Sequence, residues 1–193
     1  MSKNDQNMEA EQLAEVQAAY DLTYDLFTMA KEGNKRATLT EVFGMAALFS
    51  PLILPVTPIV GACLLGAAFI YGAIQRRDSS LSMAKHFNDV AGRMAGHGRN
   101  YLKELGNDFK DVQEFSFDDI NPVKQYEQKN YTGLIFLAAS VILSPVLLPV
   151  ALNVLGTQSD KILNVKTRLN AFKAGDQINN DYGDKLVQPL GPQ

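Results

Sequence analysis

The chain has no tryptophan, two histidines and one cysteine among its 193 residues, and each shortage closes off a class of chemistry. With Cys63 alone, neither an intrachain disulfide nor a thiol-based metal site is expected. His86 and His97 stand three helical turns apart, whereas the histidines of an HExxH zinc site stand one turn apart, so no metal is expected either. An excess of positive charge is also missing. Eighteen Lys and Arg against 21 Asp and Glu give a net charge of -3 and a pI near 5.4, which offers no broad basic face for nucleic acid. The opening residues MSKNDQNMEAEQ lack a basic segment leading into an apolar one, so no cleavable secretory signal is expected. Period-two alternation of the kind strands need is absent, and the chain reads as all-α.

Catalytic constellations are equally scarce. His86 and Asp89 lie one turn apart and could share a hydrogen bond, but a solvated histidine on an amphipathic helix accounts for them better. Gly92, Gly96 and Gly98 in AGRMAGHGRN invite a phosphate-loop reading, yet no strand precedes them and no Gly-Lys-Ser/Thr follows. Close helix packing or a kink explains them. The sequence therefore predicts no catalytic residue, no cofactor and a non-enzymatic role.

What the chain does contain is two long uncharged runs. The mean hydropathy of -0.09 is that of an ordinary soluble protein, but the average hides segregation. Residues 1–41 read as an amphipathic helix, with Leu13, Val16, Tyr20, Tyr24 and Phe27 at helical spacing and a stop at Gly33, followed by a polar link over 34–40. Residues 42–75 form the first apolar segment. Residues 76–130 form a helical middle segment with the stripe Ala84, Phe87, Ala91, Met94, Tyr101 and Leu105, a second piece after Gly106, and a turn at Asn121-Pro122. Residues 131–156 are the second apolar segment, and 157–175 an amphipathic helix with Ile162, Val165, Leu169 and Phe172 on one side, ended by Gly175. The polar tail, 176–193, is expected to be disordered.

Both apolar segments carry the same short phrase, LFSPLILPV from Leu48 and ILSPVLLPV from Ile142. The alignment pairs Ser50 with Ser144, Pro51 with Pro145 and Pro55 with Pro149, and Pro58 follows in the first copy. Proline disrupts a helix interior, so these residues predict turns or kinks within membrane-embedded helices, flanked by amphipathic pieces in a duplicated arrangement. A bilayer core of about 30 Å needs about 20 helical residues. The first segment is too long for one upright helix and too short for two full crossings, which favours a hairpin that enters and leaves one leaflet. The second could form a hairpin or span once with a kink. Gly61, Gly66 and Gly72 give the second arm of the first run a small-residue face suited to helix packing in lipid.

The Ser-Pro-x-x-x-Pro phrase resembles the proline-knot turn of oleosins, through Ser50, Pro51 and Pro55 and again Ser144, Pro145 and Pro149. It departs from that pattern in having Gly44 where an earlier proline would stand and in its shorter apolar arms. The resemblance implies hairpin geometry, and neither family nor organelle.

Every flank of the two segments is basic: Lys31, Lys35 and Arg36; Arg76, Arg77 and Lys85; Lys124 and Lys129; Lys161, Lys166 and Arg168. Lysine and arginine near membrane segments prefer the cytoplasmic side, so all three polar segments are expected to share that side. The expectation is an integral membrane protein with the lipid bilayer as partner, together with copies of itself or proteins of a membrane complex, serving anchoring, membrane shaping or scaffolding. The alternative is a pore-forming or secreted effector that starts soluble and then inserts.

Overall fold

The computed structural model describes residues 3–53, 80–94, 96–110, 112, 121–127, 129, 131, 134, 135, 138 and 148–188. Of these, 89% are helical and none is in a strand, so the all-α class is correct. The helices are α1 (Lys3–Ile53), α2 (Ser80–Ala91), α3 (His97–Tyr101), α4 (Lys103–Phe109), α5 (Pro122–Glu127) and α6 (Leu148–Tyr182), followed by a 3-10 turn, Gly183–Lys185.

Helix α1 does not stop at Gly33 or open into a link over 34–40; it continues for 51 residues in all. Local chemistry allows this, because no proline occurs before Pro51 and the supposed link is made of Lys, Arg, Ala, Thr and Leu beside one Asn. Burial supplies the reason. Leu26, Ala30, Gly33, Ala37 and Thr40 are all buried, at steps of four and three, so Gly33 is one member of a seam of mostly small residues along the helix. Thr38 and Thr40 keep their hydroxyls on the carbonyls of Asn34 and Arg36, at 2.9 and 3.1 Å.

The chain divides into two units. The first comprises Met1–Lys31, Ser80–Val112 and Leu163–Gln193. Its core draws Val16, Ala19, Leu22, Leu26 and Ala30 from α1, Met83, Ala84, Phe87 and Ala91 from α2, Leu105 and Phe109 from α4, and Ala171, Ala174 and Ile178 from α6. Phe87 and Phe109 meet with ring centroids 5.2 Å apart. The stripe expected in the middle segment is thus the buried face, with Tyr101 half-buried at its edge. Within this unit α1 and α6 run antiparallel: Gln17 bonds Val187, Thr23 faces Gly175, and Phe27 receives Arg168.

The apolar stripe expected on α6 is its exposed face. Ile162, Val165, Leu169 and Phe172 are 53 to 63% exposed, whereas Asn164, Thr167, Ala171, Ala174 and Ile178 are buried. Small residues let α6 approach its neighbours closely, and that outweighs the larger apolar area on the other face. Gly175 does not end the helix either; it is a contact point, where an added Cβ would lie 3.1 Å from Thr23 Oγ1. The helix continues to Tyr182. The disorder expected over the tail is corrected as far as residue 188, because Gln17 holds the chain after the 3-10 turn. Its Oε1 accepts from Val187 N and its Nε2 donates to Val187 O, each at 2.9 Å.

The second unit comprises Glu32–Ser79 and Gln113–Ile162, a range that includes both apolar segments. Among its described residues Ala37, Thr40 and Thr157 are buried, and an ion pair joins Lys161 of α6 to Glu41 of α1. Asn121, at the expected Asn121-Pro122 turn, caps α5 by accepting from Val123 N at 3.0 Å.

Candidate functional site

Of the residues expected to form membrane turns, Ser50 and Pro51 lie in the last turn of α1, and Pro149 lies in the first turn of α6, where a missing N–H leaves no helical bond unmade. Pro55, Pro58, Ser144 and Pro145 lie outside the described residues, as do Gly61, Gly66 and Gly72. Among the described residues no helix is long and apolar enough to cross a membrane, and no group of His, Cys, Asp and Glu is placed to hold a metal ion.

The suggested His86–Asp89 pair is not formed. His86 Nε2 lies 3.2 Å from Asp25 Oδ2 on α1, and Asp89 instead accepts from Arg93 at 3.0 Å. A histidine and a carboxylate one turn apart can each find better-placed partners, and here both do. The glycine-rich loop does gather an anion, but an internal one: Glu15 Oε2 accepts from Gly96 N at 3.3 Å and His97 N at 3.0 Å. Gly98 then lets α3 lie directly on the backbone of α1. Close packing is the explanation at Gly98, whereas a Cβ on Gly96 would meet nothing within 4 Å.

In the first unit a cavity of about 400 Å³ opens between α1 and α6. Tyr20, Tyr24 and Phe27 line it from α1, and Phe172, Asp176 and Asn179 from α6, both sets at steps of four and three along one helix face. Thr23 and Gly175 lie between these rows, and Gln188 contributes from the segment that Gln17 holds. No family model, curated protein or solved structure matches the chain. Function therefore rests on this geometry and on the sequence. The spacing of Tyr20, Tyr24 and Phe27 was legible from the start, but it reads as a core stripe. They are half-buried because Val16, Ala19, Leu22 and Leu26, on the adjoining face of α1, take the core position.

Two further contacts fasten the unit. Asp108, at the end of α4, accepts from Lys166 and Asn170 of α6, and no sequence signal singled it out. Tyr101 donates its hydroxyl to Asp181 Oδ2 at 2.7 Å and meets Tyr182 edge-on. Burial, and then the bond to the Asp181 carboxylate, push the Tyr101 phenol up to about 12. The folded value lies above the unfolded one, so this bond's stabilisation is complete below pH 10 and is lost as pH rises through about 12. Urea midpoints of wild type and Tyr101→Phe, measured from pH 8 to 12, should therefore differ at pH 8 and converge above pH 10. A constant gap across that range would show that the phenol proton contributes nothing.

Proposed function

We propose that this is a non-enzymatic integral membrane protein, held by apolar segments 42–75 and 131–156, with its polar segments on the cytoplasmic side. Its work is anchoring, membrane shaping or scaffolding of a larger membrane complex. The observation that carries the reading is where large apolar side chains are left in the open. Leu39 and Val42 on α1, and Ile162, Val165, Leu169 and Phe172 on α6, are exposed at the edge of the two charge-free runs or on the stretches that adjoin them. A water-bathed helix pair of this kind normally buries such stripes, and lipid is a medium that would cover them. Continuity supports the same reading, since α1 extends to Ile53 inside the first segment and α6 begins at Leu148 inside the second.

Carbonate extraction of membranes tests this, combined with impermeant thiol labelling of Asp5→Cys, Asn100→Cys and Lys185→Cys, each in a Cys63→Ala background. The expected result is resistance to extraction with all three sites labelled from one side. Labelling of Asn100→Cys alone from the opposite side would replace hairpins by true spans. Release by carbonate would remove the anchor.

A second reading, a protein that hides its apolar segments and inserts later, is favoured by one feature of α6. Asn164 and Thr167 lie fully buried on its inner seam, and among the described residues the amide atoms of Asn164 and the hydroxyl of Thr167 have no hydrogen-bond partner. Each such group costs about 1 to 3 kcal/mol when left unpaired, a cost that would ease separation of this part of the helix packing. Under this reading a stable soluble form exists and releases dye from liposomes; an anchor has no such form.

A further inference from the structure

The cavity between α1 and α6 is lined by aromatic rings and one acid, with no lysine or arginine. Tyr20, Tyr24, Phe27 and Phe172 supply its rings, and Asp176 brings a carboxylate that makes no hydrogen bond or ion pair among the described residues. We propose that this groove binds a small organic ammonium ion, quaternary or multiply alkylated, with a headgroup of the size of choline.

The chemistry of the lining selects this class. An anion would face the Asp176 carboxylate, which repels it. A metal ion would find a single carboxylate, too few hard ligands to replace its water. A neutral apolar guest would cover the carboxylate without answering its charge. An alkylated ammonium meets both requirements, because its charge is spread over methyl groups that desolvate easily and rest against aromatic faces. The volume lies within the range of small-molecule sites and leaves room for the substituent that carries the cation. The structure also holds an internal precedent on one of the lining rings: Arg168 sits over Phe27, 5.3 Å from its centroid. Gly175 keeps the floor open between the rows, since any side chain there would press on Thr23. The inference does not rest on the membrane reading, because every residue involved belongs to the first unit.

The test uses the full-length chain in a maltoside detergent, whose headgroup is uncharged. Choline and its uncharged carbon isostere, 3,3-dimethylbutanol, are titrated while tyrosine fluorescence is followed, a signal left clean by the absence of tryptophan. Calorimetry provides the second readout. Saturable choline binding is expected, with the isostere at least about tenfold weaker. Asp176→Asn and Tyr24→Leu should each weaken choline about tenfold with unchanged helical circular dichroism. Flotation with phosphatidylcholine vesicles, compared with phosphatidylglycerol vesicles, then separates the sources. Asp176-dependent preference for phosphatidylcholine marks a lipid headgroup, and choline binding without that preference marks a free amine. Absence of choline binding, equal binding of the isostere, or an Asp176→Asn variant that binds as wild type overturns the proposal.

Discussion

Replacing Gly98 by alanine should lower stability by about 3 kcal/mol, at the upper end of what overpacking a well-filled site costs. The added Cβ would lie 2.6 Å from the carbonyl oxygen of Glu15, 3.0 Å from its carbon and 3.3 Å from Met94 Sδ. The methionine can swing away. The Glu15 carbonyl cannot, because it belongs to the backbone of α1 and moves only if α1 or α3 moves with it. Displacing α3 would also pull the amides of Gly96 and His97 off the Glu15 carboxylate, so the loss compounds. Gly96→Ala is the control, for a Cβ there meets nothing within 4 Å, and its change should stay within about 0.5 kcal/mol. Urea denaturation of both variants is the measurement. If Gly98→Ala unfolds at the wild-type midpoint, α3 does not lie on α1 as described.

How much of this could be read from the sequence depends on residue size. The all-α class followed from periodicity, and the middle segment's stripe was found because Phe87, Met94 and Leu105 are both large and buried. On α6 periodicity found the apolar stripe but did not show which face is buried. Periodicity weights Ile162, Val165, Leu169 and Phe172 by their apolar area, but close approach favoured Ala171, Ala174 and Gly175, which carry almost none. Gly33 and Gly175 were misread for a related reason. A glycine after an amphipathic stretch is a good helix stop when the chain is alone, whereas a packed neighbour can retain it inside the helix as a point of contact. Asp108 left no trace, because its partners are 58 and 62 residues away and only the tertiary fold brings them to it.

Asp108→Ala should also cost about 3 kcal/mol, the sum of two bonds to a charged acceptor less what a partly exposed lysine regains from water. The Asp108 side chain is 1% exposed, with Lys166 Nζ at 2.9 Å and Asn170 Nδ2 at 2.6 Å. A carboxylate in the last turn of α4 opposes the helix dipole, so its place there depends on these partners. Because Lys166 is 59% exposed, it recovers hydration when the pair is broken, whereas Asp108 left without the lysine does not. Lys166→Ala should accordingly be destabilising, and the double variant should lose less than the two single losses added, by about 1 to 2 kcal/mol. Strict additivity would mean the pair is not coupled in solution. The same variant bears on the two functional readings. This contact ties the middle segment to α6, the helix that leads out of the second apolar run. If that run is a permanent anchor, loosening the tie lowers stability and leaves membrane association as it was. If the apolar runs are held back until insertion, Asp108→Ala should release dye from liposomes faster than wild type, since the weakened tie lowers the barrier to separating α6 from the rest of the bundle.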